Sequence, residues 1–454
     1  MIRKLRELAG HGLIRNALSL WVVQFFRKAL PLITIPFLTH ELGPDGWGRV
    51  AIFQSLAACV ALLIEFGFEL SATRQVARCR HSREDVAGVV AGVVGAQAVL
   101  AVGAVALAVA VRGWVPVLRD HPALLVFCLM LAVADGCNPV WYFVGIERIG
   151  VVAALEICCK SLTAIAIFAL VRSPDGAVTV LALQALASLL SMVAAMGIMY
   201  RGIPFRRPSR GLISEALGGS WPMFLIRGAE SLYTLGNAFI LGLFVGPAMV
   251  GYFAAPEKIT RALAGLLNPI RQALYPRLSK LMHTEPDQAM HLARIGISVT
   301  GLGGLAIGLV VYVFAPALIR IAFGAQFAPA VTVLRLLAVL PPLVSLTQSV
   351  AMQWLLPLGR ERVVTRTVVA AGALNLLLAL FLVPRLAHLG MAWAVICSEA
   401  FVCVTITCAA LADSKHKLLW FRRPRAFPEA GAARECESES AVVPRMAAEL
   451  KSAL

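Results

Sequence analysis

Twelve apolar stretches, each long enough to cross about 30 Å of hydrocarbon, follow one another through this chain and leave little else to fold. They run over residues 13–39, 47–70, 86–111, 123–145, 150–171, 177–200, 217–245, 248–275, 294–322, 330–356, 365–383 and 388–411. In hydrocarbon a segment must satisfy its backbone polar groups internally, and at this length and apolarity it does so as an α-helix. The expected fold class is all-α: a polytopic membrane protein of about twelve transmembrane helices. Composition agrees, with 59% hydrophobic and 15% charged residues among 454 and a mean hydropathy of +0.81, values outside the range of soluble domains.

The net charge of +16 would point a soluble domain toward nucleic acid, but this chain lacks a charged surface outside short connections. Eighteen Lys and Arg residues sit at the N-terminus and on even-numbered connections, against five on the other side. The positive-inside rule then places both termini in the cytoplasm. The basic start Met1-Ile2-Arg3-Lys4-Leu5-Arg6 precedes a segment too long for a signal-peptide h-region, so that segment is expected to stay as the first span. The ten cysteines show no CxxC pattern, and the eight histidines fall at span ends or in loops. Neither a metal site, nor a cofactor, nor a disulfide, nor a catalytic centre is expected.

Two short motifs occur twice. Gly43-Pro44 followed by Gly48 recurs as Gly246-Pro247 followed by Gly251, and Gly145-Ile146-Glu147-Arg148 recurs as Gly359-Arg360-Glu361-Arg362. Each copy falls at an equivalent turn of its half, which points to duplication with both halves in one orientation. The expected domains are residues 1–205, residues 206–411, and a cytoplasmic tail, 412–454. The tail is basic at Lys415, Lys417, Arg422, Arg423 and Arg425, then acidic and alanine-rich, a composition that favours disorder.

Charged residues inside the spans carry the functional signal. Arg27 and Lys28 lie midway along the first span, Arg227 in the seventh, and Lys258 and Arg261 in the eighth. A cation facing lipid costs roughly 2.5–3.5 kcal/mol at the helix centre, so these five are expected to face a wet or protein-lined interior. They are the candidate ligands for an anionic cargo. Glu65, Glu69, Asp135, Glu230, Glu257 and Glu399 also fall within spans and are candidates for H+ or Na+ coupling. Glu257 with Arg261, and Glu156 with Lys160, have the i, i+4 spacing of ion pairs.

The run from Pro31 to Thr39, then Leu42-Gly43-Pro44, Gly46-Trp47-Gly48 and the stretch from Glu65 to Arg74, resembles the N-terminal signature of bacterial Wzx-type polysaccharide biosynthesis flippases. The stretches from Trp141 to Arg148 and from Gly251 to Lys258, with Tyr275-Pro276-Arg277, resemble two further blocks of that family. Where the family commonly has Lys, this chain has Arg148, which keeps the charge. The resemblance implies membership of the multidrug, oligosaccharidyl-lipid and polysaccharide exporter superfamily. It implies two six-helix bundles around a central cavity, as in the multidrug exporters (a MATE-like fold), in the bacterial inner membrane. It implies flipping of undecaprenyl-pyrophosphate-linked oligosaccharide repeat units for O-antigen, capsule or exopolysaccharide synthesis. The partners implied are the lipid-linked oligosaccharide, membrane lipids, a polysaccharide polymerase and chain-length proteins. By position, Arg27, Lys28, Arg227, Lys258 and Arg261 would line the head-group cavity.

Competing expectations are an organic-cation antiporter of the same superfamily and a flippase for the peptidoglycan lipid precursor. The five cations disfavour the first. A membrane glycosyltransferase or polymerase would need an acid, base or metal site on a sizeable loop, which the short connections do not offer, so a transporter rather than an enzyme is expected.

Overall fold

The computed structural model describes the backbone of residues 11–418 and the side chains of residues 33–412, apart from 226, 229, 230, 232, 233 and 283. The side chains of Arg27, Lys28 and Glu230 and nearly all of the expected tail lie outside the described residues.

Every regular element among the described residues is a helix. In chain order these are α1 (His11–Glu65), α2 (Phe68–Cys79), α3 (Arg83–Val111), α4 (Pro116–Asp120), α5 (Pro122–Gly136), α6 (Val140–Gly145), α7 (Ile149–Leu170) and α8 (Ala177–Gly202). They continue as α9 (Arg210–Leu235), α10 (Asn237–Gly242), α11 (Pro247–Ala264), α12 (Asn268–Thr284), α13 (Pro286–Val313), α14 (Ala315–Phe323), α15 (Ala330–Leu337), α16 (Leu340–Val350) and α17 (Glu361–Leu418).

Eight helical segments among the described residues are long and apolar enough to cross a membrane. Two exceed what a bilayer needs: Ile33–Cys79 has 47 residues and Glu361–Ala412 has 52. Each contains a break. In α1, Gly43 adopts φ 66° and ψ −178°, open to glycine because it lacks a Cβ. In α17, Ala387 sits at φ 49°, and Gly390 packs against the Leu382 carbonyl. A straight helix would hold those two residues about 12 Å apart, so the chain turns back there. The expected spans 365–383 and 388–411 meet at this turn.

The second and eighth expected spans are also interrupted. Phe66 (φ 48°) and Gly67 (φ 78°) separate α1 from α2, and a 3-10 turn, Gly265–Leu267, separates α11 from α12. The 203-residue offset of the Gly-Pro motif carries Phe66 onto Pro269, so the two breaks fall at nearly one position of the repeat. The second repeated motif needs a correction of register. In both copies a residue with positive φ, Glu147 (60°) or Gly359 (71°), ends the helix. The following amide, of Arg148 or Arg360, then donates to the carbonyl five residues back, Phe143 or Leu355. This is one helix-ending turn at an offset of 212, whereas identical letters align at 214. The left-handed position fixes the register, and the letters do not.

Packing separates two faces of the long helices. Along α13, Gly296, Thr300, Gly304 and Gly308 form a buried stripe, and Gly304 and Gly308 lie against the Pro341 and Ala338 carbonyls of the neighbouring segment. Small residues at this spacing let backbones approach closely, the usual interface between helices in lipid. The other face of α13 exposes Leu302, Leu305 and Leu309. Apolar outside and small within is the arrangement of a protein dissolved in hydrocarbon.

Candidate functional site

The repeated Gly-Pro motifs meet. A Cβ added at Gly48 would fall on the Pro247 carbonyl, and one added at Gly251 would fall on the Pro44 carbonyl. The contact is reciprocal: each motif's second glycine receives the other motif's proline carbonyl. Two copies facing each other through one contact made twice is what an approximate two-fold relation produces. Beside it, the Gln326 amide donates to the Thr39 and His40 carbonyls at 3.3 and 3.4 Å.

About two turns along α11 from Gly251, Lys258 reaches back to α1. Its Nζ donates to Gln54 Oε1 at 2.6 Å and lies 4.8 Å from the centre of the buried Trp47 ring. Gln54 Nε2 in turn donates to Gln184 Oε1 of α8 at 2.9 Å. Both groups that Lys258 touches here, an amide and an indole ring, are neutral.

Arg261 is held differently. Its Nε lies 3.1 Å from Glu257 Oε1 and its Nη1 lies 3.7 Å from Glu399 Oε1 of α17. The Glu257 carboxylate also accepts from Asn237 Nδ2 of α10 at 2.9 Å. Glu257 and Glu399 are buried, so three elements, α10, α11 and α17, close around one guanidinium and two carboxylates. The i, i+4 pair expected from sequence is present, and Glu399 joins it from over a hundred residues away.

At the break between α1 and α2 the Glu65 carboxylate caps the new helix, accepting from the amides of Glu69 at 2.7 Å and Gly67 at 3.2 Å. Glu69 forms an ion pair with Arg227 of α9. The same α2–α9 contact joins Ser71 to Ser220, 2.5 Å apart and buried. Phe66 stacks on Phe224 with ring centres 4.5 Å apart and leans on Trp221 at 5.8 Å. Gly67 lies against the backbone of Met223 and Phe224.

The structure thus brings Glu69 to Arg227, and Glu257 and Glu399 to Arg261, with Lys258 bridging to Gln54. Asp135 is exposed near the end of α5, and Glu156 pairs with Lys160 at 2.5 Å. Among the described residues no group of three His, Cys, Asp or Glu side chains could hold a metal ion. Sequence reasoning missed Gln184, Asn237 and the fully buried Arg271. Arg271 follows the break at Gly265–Leu267, and the Gly-rich interruption ahead of Asn268-Pro269 was the signal that could have marked it.

Residues 13–282 match the model of the polysaccharide biosynthesis protein family. A protein of Escherichia coli (strain K12) named as an O-antigen transporter is 29% identical over 393 residues, covering 86% of this chain and 95% of that protein. One from Shigella dysenteriae, named likewise, is 27% identical over 395 residues, covering 86% and 97%. In fold, the chain is similar to the lipid II flippase MurJ in an inward closed conformation, with a TM-score of 0.68 at 10% identity and 86% of each chain covered. It is also similar to an inward-facing multidrug resistance MATE family transporter of the MOP superfamily, with a TM-score of 0.61 at 16% identity, covering 86% and 96%. The all-helical membrane fold expected from hydropathy is thus that of known transporters, and by the match over more than half its length this chain belongs to the polysaccharide biosynthesis protein family.

Proposed function

We propose that this multi-pass membrane protein is a flippase, and not an enzyme, that moves undecaprenyl-pyrophosphate-linked oligosaccharides across the bacterial inner membrane for surface polysaccharide synthesis. The observation that carries the reading is the set of cations at the meeting of the two repeats: Lys258 bonded to Gln54, Arg227 to Glu69, and Arg261 to Glu257. A pyrophosphate cannot cross hydrocarbon ionised, and guanidinium and ammonium groups replace its water with charge-assisted hydrogen bonds.

In this reading residues 1–205 and 206–411 are the two moving halves, both termini and the tail 412–454 are cytoplasmic, and Arg27 and Lys28 join the cationic lining. Both arginines of the site are held by carboxylates. Glu69 holds Arg227, and Glu257 with Glu399 holds Arg261, so the incoming head group meets Lys258 first and displaces a carboxylate from each arginine. A displaced carboxylate in a low-dielectric site is a place for a proton or Na+, which supports Glu69, Glu257 and Glu399, with Glu65, Asp135 and Glu230, as coupling groups. Alternating access opens the α2–α9 contact on one side and the Gly-Pro contact on the other. Polysaccharide polymerase and chain-length proteins are the partners that would receive the product. A cationic-drug antiporter of the same fold would be repelled by Lys258, and the peptidoglycan lipid precursor, being another anionic lipid, is the competing cargo.

The experiment is reconstitution in liposomes with a fluorescent lipid-linked oligosaccharide, following the label that becomes accessible on the opposite leaflet. Flipping by the wild type, lost in Arg27→Ala or Arg227→Ala at equal protein level, supports the reading. Full activity in both variants overturns the assigned site, and flipping of lipid II alone replaces the cargo.

A further inference from the structure

Ten residues beyond Arg261, about 15 Å further along a helical path, a second cation lies inside the second repeat with no role in the scheme above. Arg271 of α12 is 1% exposed. Its Nη2 donates to Asn268 Oδ1 and, at 2.6 Å, to Gln348 Oε1 of α16. Its Nε and Nη1 are buried and meet no hydrogen-bond partner among the described residues. Both bonded groups are neutral amides, and no carboxylate pairs with it among the described residues.

A guanidinium has five N–H donors, and leaving a charge of this kind uncompensated in a bundle interior costs several kcal/mol. A second unpaired group lies nearby. Gln353 is fully buried with neither amide atom bonded. It packs where Gly296 of α13 meets Leu274, one turn along α12 from Arg271. Its position follows from a π-helical turn, Ala351–Leu355, closed by the Leu356 amide on the Ala351 carbonyl at 2.9 Å. In an unbroken α-helix residue 352 would lie over Gln348; the extra residue of the π turn brings Gln353 toward that face. Such turns are frequent at binding sites. Gln348 is itself exposed, so its hydrogen bond links the buried guanidinium to a side chain at the surface.

We propose that Arg271, with Gln348 and Gln353, binds a monovalent inorganic anion of halide size inside the second repeat. One unit of negative charge balances the guanidinium, whereas phosphate or pyrophosphate would reverse the net charge of a closely packed, low-dielectric site. The donors present, the three N–H bonds of Nε and Nη1 and a side-chain amide, suit an ion that only accepts. The site is separate from the Lys258–Arg261 cluster and does not depend on the identity of the cargo.

The test uses the purified full-length protein in detergent, with thermal unfolding in sodium chloride, sodium gluconate and sodium pyrophosphate at matched ionic strength. Saturating chloride should raise the midpoint over gluconate by roughly 2–5 °C through preferential binding to the folded state, and Arg271→Leu should abolish that difference. Equal midpoints in chloride and gluconate for the wild type, or an undiminished chloride effect in Arg271→Leu, overturns the proposal. So does pyrophosphate stabilisation that is lost in Arg271→Leu, since it would make Arg271 part of the head-group site. Should Arg271→Leu not fold, crystals of the wild type grown in bromide decide: anomalous density beside the guanidinium supports the site, and its absence removes it.

Discussion

Gly48 lies directly against the carbonyl of Pro247, and the motif containing Pro247 returns the contact through Gly251 to Pro44. The pair of contacts places two backbones closer than any side chain allows, and it joins residues that the duplication makes equivalent. Replacing either glycine by alanine drives a methyl group into a main-chain carbonyl, which cannot swing aside as a flexible side chain can. Overpacking of this kind costs about 1–3 kcal/mol. Gly48→Ala and Gly251→Ala are therefore expected to lower the thermal midpoint by similar amounts, while Gly113→Ala, with nothing within 4 Å of its added Cβ, leaves it unchanged. Strongly unequal losses, measured on purified protein, would count against equivalence of the two contacts.

The pair of Arg227 with Glu69 separates binding from locking. Arg227→Glu and Glu69→Arg should each lower stability, and the double reversal should recover it because the opposite charges again face each other. Flipping should stay at least about tenfold below wild type in the double variant, since the cation has moved from α9 to α2 and the bidentate geometry on phosphate is lost. Recovery of both stability and flipping would show that the pair only locks the two helices together.

Ser71 and Ser220 offer a reversible clamp on the same contact. Their hydroxyl oxygens are 2.5 Å apart, so cysteines at both positions fall within reach of a disulfide. In a background without other cysteines, oxidation of Ser71→Cys/Ser220→Cys should reduce flipping more than about tenfold, and reduction should restore it. Undiminished flipping by fully cross-linked protein, scored on non-reducing gels, would show that α2 and α9 do not part during transport.

Lys258 bonds to neutral groups, Gln54 and the Trp47 ring, and the neighbouring Glu257 is already held by Arg261 and Asn237, so removing the Lys258 charge strands no carboxylate. Lys258→Met keeps the aliphatic stem, and an apolar residue in place of a buried charge is often neutral or stabilising. The variant should fold with an unchanged or higher thermal midpoint and flip at least about tenfold more slowly, with Lys258→Arg recovering part of the rate. Wild-type flipping by Lys258→Met would remove Lys258 from the head-group site.

Arg261 lies between two buried carboxylates, and their roles separate by distance. Glu257 holds it at 3.1 Å and also accepts from Asn237, whereas Glu399 stands at 3.7 Å. Glu257→Gln should cost more stability than Glu399→Gln because it disrupts two interactions. Both variants should lose the acceleration of flipping by an imposed pH or Na+ gradient while keeping the ungraded rate. Gradient-driven flipping unchanged in both would exclude this cluster from coupling.

Hydropathy alone determined the helical membrane fold, because a span's length and apolarity are set by the bilayer and do not depend on its neighbours. The paired Gly-Pro motifs were legible for a related reason: the motif is written twice in the letters of the chain. The i, i+4 pair of Glu257 with Arg261 could also be read, since helix geometry is local. Which charges meet through tertiary packing could not. Glu399 reaches Arg261 from α17, Glu69 reaches Arg227 across 158 residues, and Gln353 is turned by a single π turn that no pattern announces. These partners depend on how helices distant in the chain pack. In a hydrocarbon interior, where a single unmatched charge is expensive, the tertiary structure decides which cations are paired with carboxylates and which, Lys258 and Arg271, hydrogen-bond to neutral amides.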